Sequence, residues 1–384
     1  MMKYILLSII IIWTKSYGQI IFGTNNYIEY RQGNLPIIIS VPHGGNLSPT
    51  SIPNRTCNSA VTATDANTIE LARQIDSAFV NATGCHPYVI YCHLNRSKLD
   101  CNRNIADGAC GNAESETAWN EFNNFINIAQ SHAQSLFGGK AFYIDLHGHG
   151  NSIQRLELGY LLYDTELANT DSVLNTNQYV GYSSIQNLVT TNINTYTHSQ
   201  LLRGTYALGT LLGNAGYPSV PSQQIPFPGT TTNYYSGGYN TAHHTSYATS
   251  NTVNGLQIEC NYIHVRDNYL NRKLFSDSLV SVIQKFLFKH QNINFLNCSL
   301  TSIEPLMHLD QLLISPNPAN DYIQISNNNS FTDFEIEIIN TLGQTVFKTQ
   351  NQTILNIEKF ERGLYVIKLT DKHKSTMTHK VLFQ

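Results

Sequence analysis

The chain has 384 residues, 41% hydrophobic, 10% aromatic and only 13% charged, with a formal net charge of −3. That length predicts two domains rather than one, and the sparse charge beside abundant Asn, Ser and Thr fits the neutral polar surface of an exported protein. No basic run is present, which argues against nucleic acid and anionic membrane as partners.

The opening MMKYILLSIIIIWTKSYGQ reads as a signal peptide over residues 1–18. Lys3 precedes an apolar core from Tyr4 to Trp13, and Ser16 and Gly18 hold the small-residue cleavage positions. A core of about ten residues is too short for a bilayer, which takes about 20, so no stable membrane span is expected. Cleavage removes Lys3 and Lys15, so 23 − 2 = 21 basic residues face 26 acids, a balance of −5.

From about residue 20 to 290, short apolar strands alternate with helical segments. LPIIISV (35–41), PYVIYCH (87–93), AFYIDL (141–146), LELGYLLY (156–163) and GLQIEC (255–260) are predicted strands, their near-continuous Ile, Val, Leu and Tyr indicating burial on both faces. DANTIELARQIDSAF and ESETAWNEFNNFINIAQSHAQSLF are predicted helices with polar or acidic starts. The alternation predicts an α/β fold with a sheet flanked by helices. The domain expected to carry chemistry spans 19–292, with a linker over 293–312. Residues 313–384 give closely spaced short strands separated by turn signals, the pattern of a small all-β sandwich.

Seven cysteines follow the signal segment, at 57, 85, 92, 101, 110, 260 and 298. Export permits disulfides, with Cys101 paired to Cys110 or to Cys57 as candidates, and the odd number leaves at least one thiol unpaired. No CxxC pair occurs, which argues against a cysteine zinc cluster.

Four polar clusters follow strand-like runs, where open α/β sheets place their ligand sites. VPHGG places His43 after the first strand, TDANTIELA places Asp65 where a helix begins, DLHGHG carries His147 and His149, and LQIECN sets Glu259 inside an apolar strand. Two imidazoles and a carboxylate, with one position left for water, form a known catalytic zinc arrangement. A further carboxylate can take the proton from such a water. Each residue also has a plain structural reading: His43 as a turn histidine, Asp65 as an N-cap, Asp145 as a strand-end acid bonding amides. Glu70 is the reserve ligand. Asp145 and His149 are expected to support His147 from behind, His149 being the more exposed of the two histidines. Glu259 is the hardest to explain structurally, because a buried carboxylate costs several kcal/mol unless paired. A fifth cluster, HLNRSKLDCNRN, offers Asn95, Arg96 and Arg103 to an anionic substrate, the planar Arg fork matching a carboxylate, while Asp100 pairs with one arginine. In SGGYNTAHH a mobile loop is expected over the cleft, with His243 and His244 as substrate contacts or surface histidines.

Two resemblances follow from these motifs. SPNPANDYIQI, INTLGQTVF, FERGLYVIKL and the terminal HKVLF resemble the C-terminal sorting domain of proteins exported by the Bacteroidetes type nine secretion system. That resemblance implies contact with secretion machinery, passage through the outer membrane and a secreted or cell-surface location. VPHGG, TDANTIELA, LNRSKLDCNR, YIDLHGHG and LQIECNY, in that order, resemble the N-formylglutamate amidohydrolase family, relatives of the zinc carboxypeptidases; GYPSVPS and YYSGGYNTAHH lie between the last two. The resemblance implies a zinc-dependent hydrolase of linear amides with a mixed, largely parallel sheet. His43, Asp65 and His147 would be zinc ligands, Glu259 the general base, and Arg96 or Arg103 the carboxylate clamp. Where zinc carboxypeptidases carry Glu three residues after the first His, this chain has Asn46, so Asp65 takes that part, as in the zinc peptidoglycan amidases. Export points to an extracellular acylated amino acid, peptide or cell-wall amide as substrate. The alternatives are a peptidoglycan (muramoyl–alanine) amidase and a secreted binding module without turnover.

Overall fold

A computed structural model describes residues 19–57, 60–229, 233–295, 312–315, 317–327, 334–341, 343–371 and 376–384. The expected signal segment 1–18 and most of the expected linker lie outside the described residues. The chain divides into two compact units, Met1–Thr301 and Ser302–Gln384.

The first unit is built on an eight-stranded mixed sheet. Its strands are β1 (Ile20–Phe22), β2 (Ile28–Arg31), β3 (Ile37–Val41), β4 (Tyr88–Cys92), β5 (Phe142–Gly148), β6 (Leu156–Gly159), β7 (Ser219–Val220) and β8 (Asn254–Cys260). They lie in the order β1-β2-β4-β3-β5-β8-β6-β7. The central strands β4, β3, β5 and β8 run parallel, whereas β2 and β6 pair antiparallel on either side of them. The centre is parallel because its Ile- and Tyr-rich strands are buried on both faces, and alternate residues serve different layers. Ile37 and Ile39 join a core with Leu71, Ile75 and Phe79 of helix Thr68–Thr83 and with Phe275, Leu279 and Ile283 of helix Tyr269–Gln291. Ile38, Ile90 and Tyr143 point the other way, against Phe122, Ile126 and Ala133 of helix Ala113–Leu136. That last helix starts where Asn112 accepts a hydrogen bond from the Ser115 amide, an N-cap.

The expected strand over 156–163 ends early, at Gly159. Leu161 takes a left-handed backbone conformation (φ 68°) that breaks the ladder. Cysteine pairing also differs from expectation. Cys57 bonds Cys110, Cys85 is disulfide-bonded as well, and Cys101 is a buried free thiol together with Cys92 and Cys260. Cys101 lies in the apolar layer under helix Ala113–Leu136, beside the equally buried Cys92, while its two expected partners bond each other.

One buried charge cluster ties a strand to a helix. Glu29 on β2 receives two hydrogen bonds from Arg73 of helix Thr68–Thr83 (2.6 and 2.5 Å) and one from His93 (2.9 Å). Burial alone would raise the Glu29 pKa, but the His93 and Arg73 hydrogen bonds outweigh it and lower the pKa to about 2. A carboxyl depressed in the folded state stabilises above its ordinary range, and that stability is lost as pH falls from about 4.5 towards 2. Glu29→Gln is expected to cost about 2 kcal/mol at pH 7, discounted for the partly exposed Arg73. The gap to wild type closes as unfolding is followed from pH 5 down to 2.5.

The second unit carries two antiparallel sheets. One has the order β13-β10-β9, the other β12-β11-β14-β15. Their strands are β9 (Leu312–Ser315), β10 (Tyr322–Asn327), β11 (Phe334–Ile339), β12 (Thr345–Gln350), β13 (Ile354–Asn356), β14 (Gly363–Asp371) and β15 (Thr376–Phe383). Ile323, Ile325, Ile336, Ile338, Ile367 and Val381 fill the core of this unit, and along β11 and β14 every second residue faces inward.

Candidate active site

The carboxyl ends of the central strands assemble the site. In the parallel pairing of β5 with β8, His147 stands beside Glu259, so a histidine and an acid far apart in sequence meet at one level. His43 follows β3 directly, and Asp65 precedes helix Thr68–Thr83, with the Asp65 amide bonded to the His43 carbonyl.

His43, Asp65 and His147 are all buried, and one ligand atom from each lies within 4.8 Å of the others. Asp65 is not the helix N-cap. The helix begins three residues later, and the carboxylate instead meets His147 Nδ1 (3.2 Å), the Gly148 amide (3.1 Å) and, at 3.5 Å, His43 Nδ1. Each imidazole is held from behind. His43 Nε2 donates to Asp100 Oδ1 (2.6 Å), and His147 Nε2 donates to Asp145 Oδ2 (2.8 Å). Asp145 is fully buried and is itself fixed by Ser40 Oγ (2.5 Å), its neighbour across β3 and β5, and by Asn240 Nδ2 (3.2 Å).

A donated Nε2–H leaves a neutral imidazole with its Nδ1 lone pair exposed. Both lone pairs therefore converge on the Asp65 oxygen, and among the described residues His43 Nδ1 is buried without a hydrogen-bond partner. Lone pairs facing a carboxylate repel unless a proton or a cation lies between them. The donor set thus fits a borderline metal ion such as zinc, with the backing carboxylates setting ring orientation. Where no ion is bound, a proton takes that place: burial opposes ionisation of Asp65, yet hydrogen bonding with His147, whose own pKa Asp145 and Asp65 raise against burial, and the neighbouring His43 hold it well below the usual carboxylate range. Asp100 is likewise buried but held low by the charge and hydrogen bond of His43, with Arg96 and Arg55 adding to it. Glu259 differs: burial pushes it up to about 7.

These groups open into a cavity of about 500 Å³ lined by His43, Asp65, His147 and Glu259 and, on its other sides, by Arg96, Arg103, Asp107 and Tyr235. Arg96 is committed to the protein, with Nε on Asp100 (3.0 Å) and Nη1 on the Ala63 carbonyl (3.3 Å). Among the described residues the Arg103 side chain reaches only Asp100, at 3.7 Å, and it is 37% exposed.

Several expected residues sit elsewhere. Asn95 does not line the cavity; its Oδ1 accepts from the Ser97 amide and shapes a turn. The asparagine of that segment in the cleft is Asn102, 3.2 Å from His147 Nε2, with its Oδ1 accepting from the Asn240 amide. Glu70 is exposed and outside the cluster. His149 is as buried as His147, 3% against 2%. It turns away from the cluster, donating to the Arg155 carbonyl and accepting from the Asn151 amide, because the strand ends at Gly148. His244 is buried against Asn123 and Tyr143 rather than displayed over the cleft, and Tyr239–His244 is a short helix. His243 is exposed and stacks on Tyr239.

Two supporting residues carried no signal in their motifs. Asp100 looks like a partner for neighbouring arginines, and its bond to His43 depends on the path of the chain. Arg266 is buried and donates to the carbonyls of Cys260, His149 and Ala66, joining the ends of β8 and β5 to the segment before helix Thr68–Thr83. A Cβ on Gly148 would lie 2.2 Å from the Arg266 guanidinium carbon, so this glycine makes room for Arg266.

No curated protein matches the chain. Similar solved structures include an N-formylglutamate amidohydrolase from Ralstonia eutropha JMP134, at 11% identity and TM-score 0.39, covering 67% of this chain and 93% of that one. A succinylglutamate desuccinylase from Chromobacterium violaceum is similar at 11% identity and TM-score 0.33, covering 73% and 72%. Residues 313–384 match the family model described as secretion system C-terminal sorting domain.

Proposed function

We propose that this chain is an exported, zinc-dependent hydrolase of linear amides, acting on an N-acyl amino acid or peptide-like amide that carries a carboxylate. The observation that carries the reading is the convergence of two carboxylate-backed imidazoles and Asp65 on one point, with Glu259 in the same cleft. His43, Asp65 and His147 would hold the ion, and Asp100 and Asp145 keep both rings in the Nε2–H tautomer. Zinc, when bound there, supplies polarisation of an amide carbonyl and acidification of water. Glu259 takes the proton of the attacking water on a carboxylate oxygen and returns it to the leaving nitrogen. Arg103, whose terminal nitrogens have no partner among the described residues, is the better placed of the two arginines to grip a substrate carboxylate in a two-point fork.

Metal analysis of the purified full chain, with release of free amine from a panel of N-formyl, N-acetyl and N-succinyl amino acids before and after chelation, tests the reading. One equivalent of zinc and chelator-reversible amine release are expected. Absence of a bound divalent ion, or hydrolysis indifferent to chelation, overturns it. Digestion of purified sacculi without action on small amides would move the assignment to a peptidoglycan amidase.

The tail fits export to the medium or the cell surface. Among the described residues no helix is long and apolar enough to cross a membrane. Deleting residues 313–384 is expected to leave the protein inside the producing cell with its metal content unchanged, as fractionation and metal analysis would show. Release at the wild-type level would separate the tail from sorting.

A further inference from the structure

The cleft has a second charged group with unused capacity, Asp107, that the hydrolytic reading does not employ. Its backbone is fixed from beneath by the buried Arg55, whose guanidinium donates to the carbonyls of Asp107 (3.1 and 3.3 Å), Arg96 (2.8 Å) and Val61 (3.1 Å). Those three residues all line the cavity, so one hidden cation ties its wall together. The Cys57–Cys110 disulfide closes the chain around the same wall. Asn104 aims the carboxylate: its Nδ2 donates to Asp107 Oδ2 (2.7 Å), while its Oδ1 accepts from the Asp107 amide (3.0 Å). Among the described residues Asp107 Oδ1 has no partner, and no salt bridge reaches this carboxylate although Arg103 lines the same cavity.

The cleft therefore offers one anion and one cation, each incompletely satisfied. A ligand with carboxylates only would meet Asp107 as a like charge, and an apolar side chain would desolvate it without return. A ligand bearing both a carboxylate and an ammonium satisfies both. Resting on the amide-hydrolase reading, we infer that the substrate's amino acid is a diamino acid: its α-carboxylate faces Arg103, and its side-chain ammonium is recognised by Asp107. Asp107 is then the residue that sets specificity, and it takes no part in proton transfer.

The test compares ligands that differ at one group. Binding of L-lysine, L-norleucine and L-glutamate to the zinc-loaded full chain is measured by calorimetry, alongside hydrolysis of their Nα-acetyl derivatives. Lysine is expected to bind roughly tenfold more tightly than norleucine, a partly desolvated charge pair, with glutamate weakest. Asp107→Asn, which keeps shape and can keep the Asn104 contact, should bring the lysine to norleucine ratio close to one. Asp107→Lys should turn the order in favour of glutamate. Equal binding of lysine and norleucine by the wild type overturns the inference without any variant, as does an unchanged ratio in a folded Asp107→Asn. Discrimination for lysine with no derivative hydrolysed would remove the amide-hydrolase reading and leave the specificity standing. Hydrolysis of all three derivatives at equal rates would do the reverse.

Discussion

His147→Ala is expected to lose bound zinc, from about one equivalent to a trace, and with it all measurable amide hydrolysis. The substitution removes one of the three donors proposed for the ion, and the two that remain cannot close a four-coordinate site without two solvent ligands. It also strands Asp145, a fully buried carboxylate for which His147 is the largest single offset to burial. Ser40 and Asn240 still bond Asp145, so its burial stays partly compensated and the domain is expected to fold with a stability loss of about 2–4 kcal/mol. Thermal unfolding beside metal analysis separates the two effects. His147→Ala, Asp145→Asn relieves the stranded charge and should recover stability while leaving the zinc content at a trace. If the single variant keeps stoichiometric metal, His147 is not a ligand.

How much of this was legible before the fold was known depended on what each residue must satisfy locally. The strands read directly because a strand buried on both faces has little choice but Ile, Val, Leu and Tyr, as β3, β4 and β5 show. Glu259 stood out because an acid between Ile258 and Cys260 contradicts its surroundings. His149 misled because alternation along a strand predicts that it shares the face of His147. The strand stops at Gly148, and from there the backbone follows Arg266 instead. Asn95 and Asn102 are equivalent as letters, and only the turn at Ser97 decides which one reaches the cleft. Asp100 was hidden differently. Flanked by Arg96 and Arg103, it looked like half of an ordinary ion pair, whereas its shorter bond goes to a histidine 57 residues away. Cysteine pairing fails for the same reason, since Cys57 and Cys110 meet across 53 residues whose path no local pattern encodes.

Glu259→Gln is expected to keep the metal and lose hydrolysis by two to four orders of magnitude, the usual contribution of a positioned proton acceptor. The change is isosteric, and the Gln257 Nε2 that donates to Glu259 Oε1 (2.9 Å) can still find an amide oxygen there. No ligand atom is removed from the His43, Asp65 and His147 cluster, so zinc content should match wild type. Stability supplies an independent signature. In the metal-free protein, burial raises the Glu259 carboxyl to about 7. An acid raised in the folded state is easier to ionise unfolded, so it erodes stability as pH climbs from about 4.5 to about 7. Glutamine does not ionise, and metal-free Glu259→Gln should therefore match wild type near pH 4 and exceed it at pH 8, by of order 2 kcal/mol. A variant more stable than its parent, equally loaded with zinc and almost inert is a combination that general damage to the site does not produce. Full activity would take Glu259 out of the proton path, and loss of zinc would place it among the ligands instead.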